Sequence, residues 1–266
     1  MDRRLIRVSA LSALILLTGA CTNTMTRAAP VGLPSAGYLD DADLLTFAGG
    51  FTPSPQPLEW VEGPPGRGPG SDRWWLAISQ AEIRAPEAAQ HFDCILGTRL
   101  NQHPRPALTR LMNRLLVDTD SVTRRLATAY PRPRPISVDP SLQPCQRITD
   151  EMRDSPSWPA AAAVAGAAYS EMFATLVPDQ QSRLRGMGRV IGQSRMVCRM
   201  NWHSDVADGE RIGRALYARA SAEPGFAEDL EAARAEVAAA RAEGLANPSC
   251  AAEQWALRER LPPPLN

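Results

Sequence analysis

The sequence predicts an all-α protein, a single compact helical bundle. Apolar residues recur at helical spacing in successive stretches, Pro and Gly punctuate the ends of those stretches, and no run alternates polar and apolar as a half-buried strand would. At 266 residues the chain can bury one substantial core, and its 44% hydrophobic content is ordinary for a globular domain.

The elements follow in order. Residues 22 to about 40 are rich in Thr, Asn, Ala, Pro and Gly, follow no period, and read as a tether. From Pro53 to Ser71 the chain is again thick with Pro and Gly. It lacks the closing Gly-Lys-Ser/Thr and the preceding strand of a phosphate-cradling loop, and reads as a surface loop. Pro86 to Leu96 predicts a short helix, with Ala89, Phe92 and Leu96 on one face and Gly97 as its stop. Pro106 to Tyr130 predicts a longer one along the stripe of Leu108, Leu111, Met112, Leu115, Val122 and Leu126. It ends before Pro131, because alternating prolines remove donors and hold the chain extended. Pro159 to Val177 is Ala-rich with Pro178 beyond its end; Gln180 to Ile191, Arg199 to Arg219 and Phe226 to Glu243 complete the bundle, the last stopped by Gly244.

The N-terminus has the pattern of a secretory signal. Arg3, Arg4 and Arg7 precede an apolar run from Val8 to Leu17 and a small-residue exit at Gly19-Ala20-Cys21, too short for a typical spanning helix. Leu17 to Cys21 also resembles a bacterial lipobox, which implies a lipid on Cys21, a membrane anchor, and by Thr22 an outer-membrane, periplasm-facing protein. The organisation expected is signal peptide 1–20, tether and Pro/Gly-rich segment 21–70, and helical domain 71–266.

Composition excludes several chemistries. All 29 basic residues are Arg and none is Lys, which removes Schiff-base and lysine-nucleophile mechanisms. A formal net charge of zero gives no field for nucleic acid. Cys94, Cys145, Cys198 and Cys250 allow three pairings, with at least one disulfide expected in an oxidising compartment. They have no metal-site spacing, and with only His91, His103 and His203 in the chain no metal or other cofactor is expected.

Three patterns carry candidate chemistry. Arg134-Pro135 follows a Pro-rich turn that can aim a planar guanidinium at an anion. Pro156-Ser157-Trp158-Pro159 precedes the Ala-rich helix, whose N-terminus offers free amides beside the Ser157 hydroxyl. Ser194-Arg195 is followed by Asn201 and, four residues later, Asp205, read as sharing a helix face with Asn201. Together these resemble the three signatures of the class A bacterial acid phosphatases, relatives of the type 2 phosphatidic acid phosphatases and vanadium haloperoxidases. The likeness covers roughly residues 70 to 245.

The resemblance implies a helical bundle and a phosphate site built from Arg134, Ser157, Arg195 and Ser194. It also marks three departures. Ala127 stands at the position of the family's Lys, Pro159 at that of the general-acid His, and Asn201 at that of the nucleophilic His, which leaves Asp205 an orienting acid without its partner. Trp158 replaces a Gly and is expected to narrow the anion pocket. His203, about 200° round a helix from Asn201, is expected to face away from the site as a structural residue, and a Ser194, His203, Asp205 triad is disfavoured on one short segment. The expectation is a phosphate-binding relative that is catalytically impaired; the alternative is an active phosphomonoesterase acting on small phosphate esters.

Overall fold

The structure, a computed structural model, describes residue 34 and residues 36–55 and 68–258. The expected signal segment 1–20, Cys21 and most of the Pro/Gly-rich loop lie outside the described residues. Among those described there are eleven α-helices and no strand, as the all-α expectation requires.

The helices are α1 (Asp41–Gly49), α2 (Asp72–Ser79), α3 (Asp93–Leu96), α4 (Pro106–Ala129), α5 (Pro135–Val138), α6 (Asp150–Asp154), α7 (Ala161–Leu176), α8 (Gln181–Val197), α9 (His203–Ala220), α10 (Pro224–Glu243) and α11 (Cys250–Arg258). Short 3-10 turns precede α3 (Glu87–Phe92) and α8 (Pro178–Gln180). Local chemistry sets many of the ends. Asp40 and Ser71 cap α1 and α2 by accepting from the amides of Asp43 and Trp74. Pro106 and Pro224 sit in first turns, and Gly244 closes α10 with a left-handed φ of 66°. Helices α1, α2, α5, α6 and α11 are additions to the expected elements. The first lies inside segment 21–70, so that segment is not all tether: α1 packs on α4 through Leu44 and Ala48.

Helix α7 is the axis of the bundle. It packs against α8 and α9 and, less extensively, against α4, and nearly all its side chains are buried. Ala and Gly make this close packing feasible. A Cβ added at Gly213 of α9 would stand 2.2 Å from the Val164 carbonyl oxygen, so α9 can approach α7 only with glycine there. The larger core lies on the other flank, where Phe92, Leu111, Met112, Tyr169, Phe173 and Phe226 are 2% exposed or less. Disulfides join Cys94 to Cys250 and Cys145 to Cys198. No helix among the described residues is long and apolar enough to cross a membrane.

Candidate functional site

The site forms where the loop between α8 and α9 meets the Pro-rich turn before α5 and the strand-like lead into α7. Helix α8 ends at Val197, and the chain turns through Arg199 at φ 57°, a left-handed conformation that is costly for any residue with a Cβ. Burial holds it there: Arg199 is 5% exposed, donates to the Val197 carbonyl, and lays its guanidinium 5.1 Å over the Trp74 ring. The turn leaves Asn201 outside any helix and makes Trp202 the N-cap of α9.

That geometry corrects the sequence expectation for the third pattern. Asn201 and Asp205 do not share a helix face, because α9 starts at His203. Asp205 is instead the third residue of α9 and reaches back to accept from the Trp202 amide at 3.1 Å, as a first-turn acid does. His203 occupies the exposed first position of α9 rather than a structural niche.

Asp205 is fully buried and fully engaged. Ser157 donates its hydroxyl to one carboxylate oxygen at 2.5 Å, and the Arg132 guanidinium pairs with the other at 2.6 Å. Burial pushes the carboxyl above its ordinary range, and the bonds from Ser157, the Trp202 amide and Arg132 pull it back. Arg132 in turn reaches the Ser204 hydroxyl at 2.9 Å and the Ser54 carbonyl at 2.8 Å. Asn201 donates to the Ser157 carbonyl oxygen at 2.6 Å; its amide is directed at backbone, and no hydrogen bond joins it to Asp205 among the described residues.

Beside this cluster stand two further guanidiniums. Arg134 donates to the Met200 carbonyl at 2.8 Å and the Ser155 hydroxyl at 3.1 Å. Burial lowers its pKa to about 10, with the Asp205 charge acting in the opposite sense. Arg195 is also lowered to about 10, by burial and then by the positive charge of Arg134. The Arg195 guanidinium makes no hydrogen bond or ion pair with any described residue. Two partly buried cations that repel each other, one of them without a protein counter-charge, form a local positive field, the kind of surrounding that favours an anion.

Of the residues singled out by sequence, Arg134, Arg195, Ser157, Asn201 and Asp205 gather at one place, from loops and helices up to 71 positions apart (134 to 205). Ser194 does not join them. Its hydroxyl donates to Gln80 at 2.5 Å and accepts from Arg73 at 2.9 Å, so it serves the seam between α2 and α8. Pro159 lies before α7, which begins at Ala161, and the peptide bond joining it to Trp158 is cis. The Trp158 indole does not narrow the anion pocket. It is fully buried among Val122, Leu126, Val164 and Ile212, stacks edge-on to Tyr130, and donates to Asp208 at 2.8 Å, because an apolar niche with an acceptor at its end suits an indole better than a charged cradle. Arg132, Ser54, Ser155 and Arg73 are missed by sequence reasoning. Arg132 could have been found, since it stands in the same Pro-Arg turn as Arg134; Ser54 and Arg73 come from segments with no motif. Among the described residues no group of three or more His, Cys, Asp or Glu side chains could hold a metal ion.

No family model matches the chain. Curated relatives do. The chain is 28% identical over 173 residues to the acid phosphatase of Zymomonas mobilis subsp. mobilis, a match spanning 65% of each protein. It is 25% identical over 169 residues to the non-specific acid phosphatase of Salmonella typhimurium, covering 63% of this chain and 68% of that one. It is 24% identical over 169 residues to the non-specific acid phosphatase of Providencia stuartii, with the same coverage.

Proposed function

We propose, taking as premise that the chain belongs to the class A bacterial acid phosphatase family, that it binds phosphate or a small phosphorylated ligand without hydrolysing it. The observation that carries this reading is the Arg134 and Arg195 pair, mutually repelling and short of protein counter-charge, where a dianion would relieve both. Ser157, expected to hold phosphate, instead gives its one hydroxyl proton to Asp205 and is fully buried, so the two guanidiniums carry the anion-binding reading.

The chemistry of turnover is missing side chain by side chain. An amide nitrogen is neither basic nor nucleophilic, so Asn201 cannot form a phospho-enzyme. Pro159 has no proton to give a leaving alkoxide, and Asp205, which could orient a base, is spent on Ser157, Arg132 and the Trp202 amide. Losing proton transfer alone is typically worth about 10²–10⁴-fold, and losing the nucleophile with it removes the remaining route. The second reading, an active phosphomonoesterase, draws on the names of the curated relatives.

Thermal unfolding with added inorganic phosphate tests the first reading. Phosphate at about a hundredfold above its dissociation constant is expected to stabilise the protein by about 2.7 kcal/mol, and Arg195→Met to abolish that gain. Chromogenic phosphate monoester hydrolysis that disappears in Arg195→Met would establish the second reading instead. The reading extends to location: the basic start, apolar run and Cys21 support a lipid-anchored protein of the periplasmic face of the outer membrane. Metabolic labelling with palmitate that is lost in Cys21→Ala checks it.

A further inference from the structure

A cleft of about 410 Å³ opens between α2, the 3-10 turn before α3, and α11, and none of the anion-site residues lines it. Its walls invert the chemistry of that site. Asp72, Glu82, Glu87 and Glu253 line it, and no Arg does among the described residues, although the chain carries 29. None of these four carboxylates forms an ion pair with a described residue. Trp75, 61% exposed, supplies an indole wall.

His91 gives an independent pointer to the ligand. It lines the cleft while only 9% exposed, and its Nε2 lies 2.8 Å from the Glu82 carbonyl oxygen. A carbonyl can only accept, so the ring proton sits on Nε2 and Nδ1 keeps its lone pair, with no hydrogen bond to any described residue. Burial holds the imidazole below its ordinary pKa and therefore neutral. A neutral imidazole with a free lone pair, lining a cleft that four carboxylates also line, offers an acceptor to a cationic hydrogen-bond donor.

We propose that this cleft binds a small organic ammonium ion, the protonated form of a primary or secondary amine. Its N–H is donated to His91 Nδ1, its charge is met by the carboxylates, and its alkyl part lies against the Trp75 ring. The volume suits a ligand of metabolite size. The disulfide between Cys94, which lines the cleft, and Cys250 ties α11 to the opposite wall, so the cleft is fixed in shape rather than assembled on binding.

Calorimetric titration of the full chain with butylammonium at about pH 8.5, where Glu253 is ionised and the amine still protonated, tests the assignment. One saturable site in about the millimolar range is expected, as befits so few heavy atoms. Trp75→Leu and Glu253→Gln should each weaken it about fivefold. Both variants should keep the wild-type phosphate-dependent thermal shift, which separates this cleft from the anion site. Tetramethylammonium, which has the charge but no N–H, should bind more weakly than butylammonium. Absence of a saturable site, unchanged affinity in either variant, or equally tight binding of tetramethylammonium would overturn the proposal.

Discussion

Asp205 shows how one buried side chain can tie several segments together. A buried carboxylate must be neutralised or hydrogen-bonded, and with Asn201 unable to supply a charged ring, Arg132, Ser157 and the Trp202 amide supply the partners. The residue thereby knots the Pro-rich turn, the lead into α7 and the start of α9. Removing it leaves Arg132 largely enclosed without its counter-ion. Asp205→Ala is therefore expected to cost about 3–5 kcal/mol in urea unfolding at neutral pH, far more than an ordinary surface substitution. A loss under about 1 kcal/mol would mean that the knot carries little of the fold. At this scale the sequence was a good guide to which residues matter and a poor guide to what they touch. Arg134, Arg195, Ser157 and Asp205 gather in one place, but Ser194 turns to Gln80 and Trp158 to Asp208, because distant segments bring hydrogen-bond partners to those two side chains.

At the scale of elements, most of the long helices were legible because apolar residues recur along them and a Pro or Gly stands at or near an end, as Pro106 does for α4 and Gly244 for α10. Helix α4 matches its expected span to within a residue. Helix α9 was misplaced at its start: Cys198 to Trp202 has helical composition, but the left-handed turn at Arg199 breaks it, and that turn is stabilised by Trp74 from a distant helix. Helix α11 was not among the expected elements: only nine residues long, it is held by the Cys94–Cys250 bond and by packing on α2. It also carries a titratable strain. Burial, with Asp93 adding repulsion, raises Glu253 from 4.5 to about 7. A raised carboxyl favours the protonated folded form, so this contribution to stability is fully present below about pH 4.5 and is lost as pH rises through 7. Amide exchange in α11, corrected for its intrinsic pH dependence, should show protection falling between pH 5 and 8 by on the order of 1–2 kcal/mol after allowance for partial exposure. Glu253→Gln should flatten that profile; an unchanged profile would assign the pH dependence elsewhere.

For the whole molecule, the two disulfides divide the labour between stability and site. Cys94–Cys250 spans 156 positions and closes the C-terminal helix onto the body, whereas Cys145–Cys198 spans 53 and anchors the loop that carries Asn201. Chain-entropy estimates give about 5 and about 4 kcal/mol respectively. Replacing Cys145 and Cys198 with Ser should lower both stability and phosphate affinity, because the Met200 carbonyl that orients Arg134 sits in the released loop. Replacing Cys94 and Cys250 should lower stability while leaving phosphate affinity unchanged in the remaining folded protein. Equal effects of the two pairs on phosphate binding would show that the anion site responds to global stability alone.

The sequence by itself determined the helical class and the spans of most of the principal helices, since apolar period and Pro and Gly punctuation are local properties of the chain. Only the tertiary structure decided that Arg132 takes up the Asp205 carboxylate, that Arg195 is left beside Arg134, and that His91 and four carboxylates line one second cleft. Those outcomes depend on which side chains from distant segments arrive first at a buried charge, and no spacing along one segment encodes that competition.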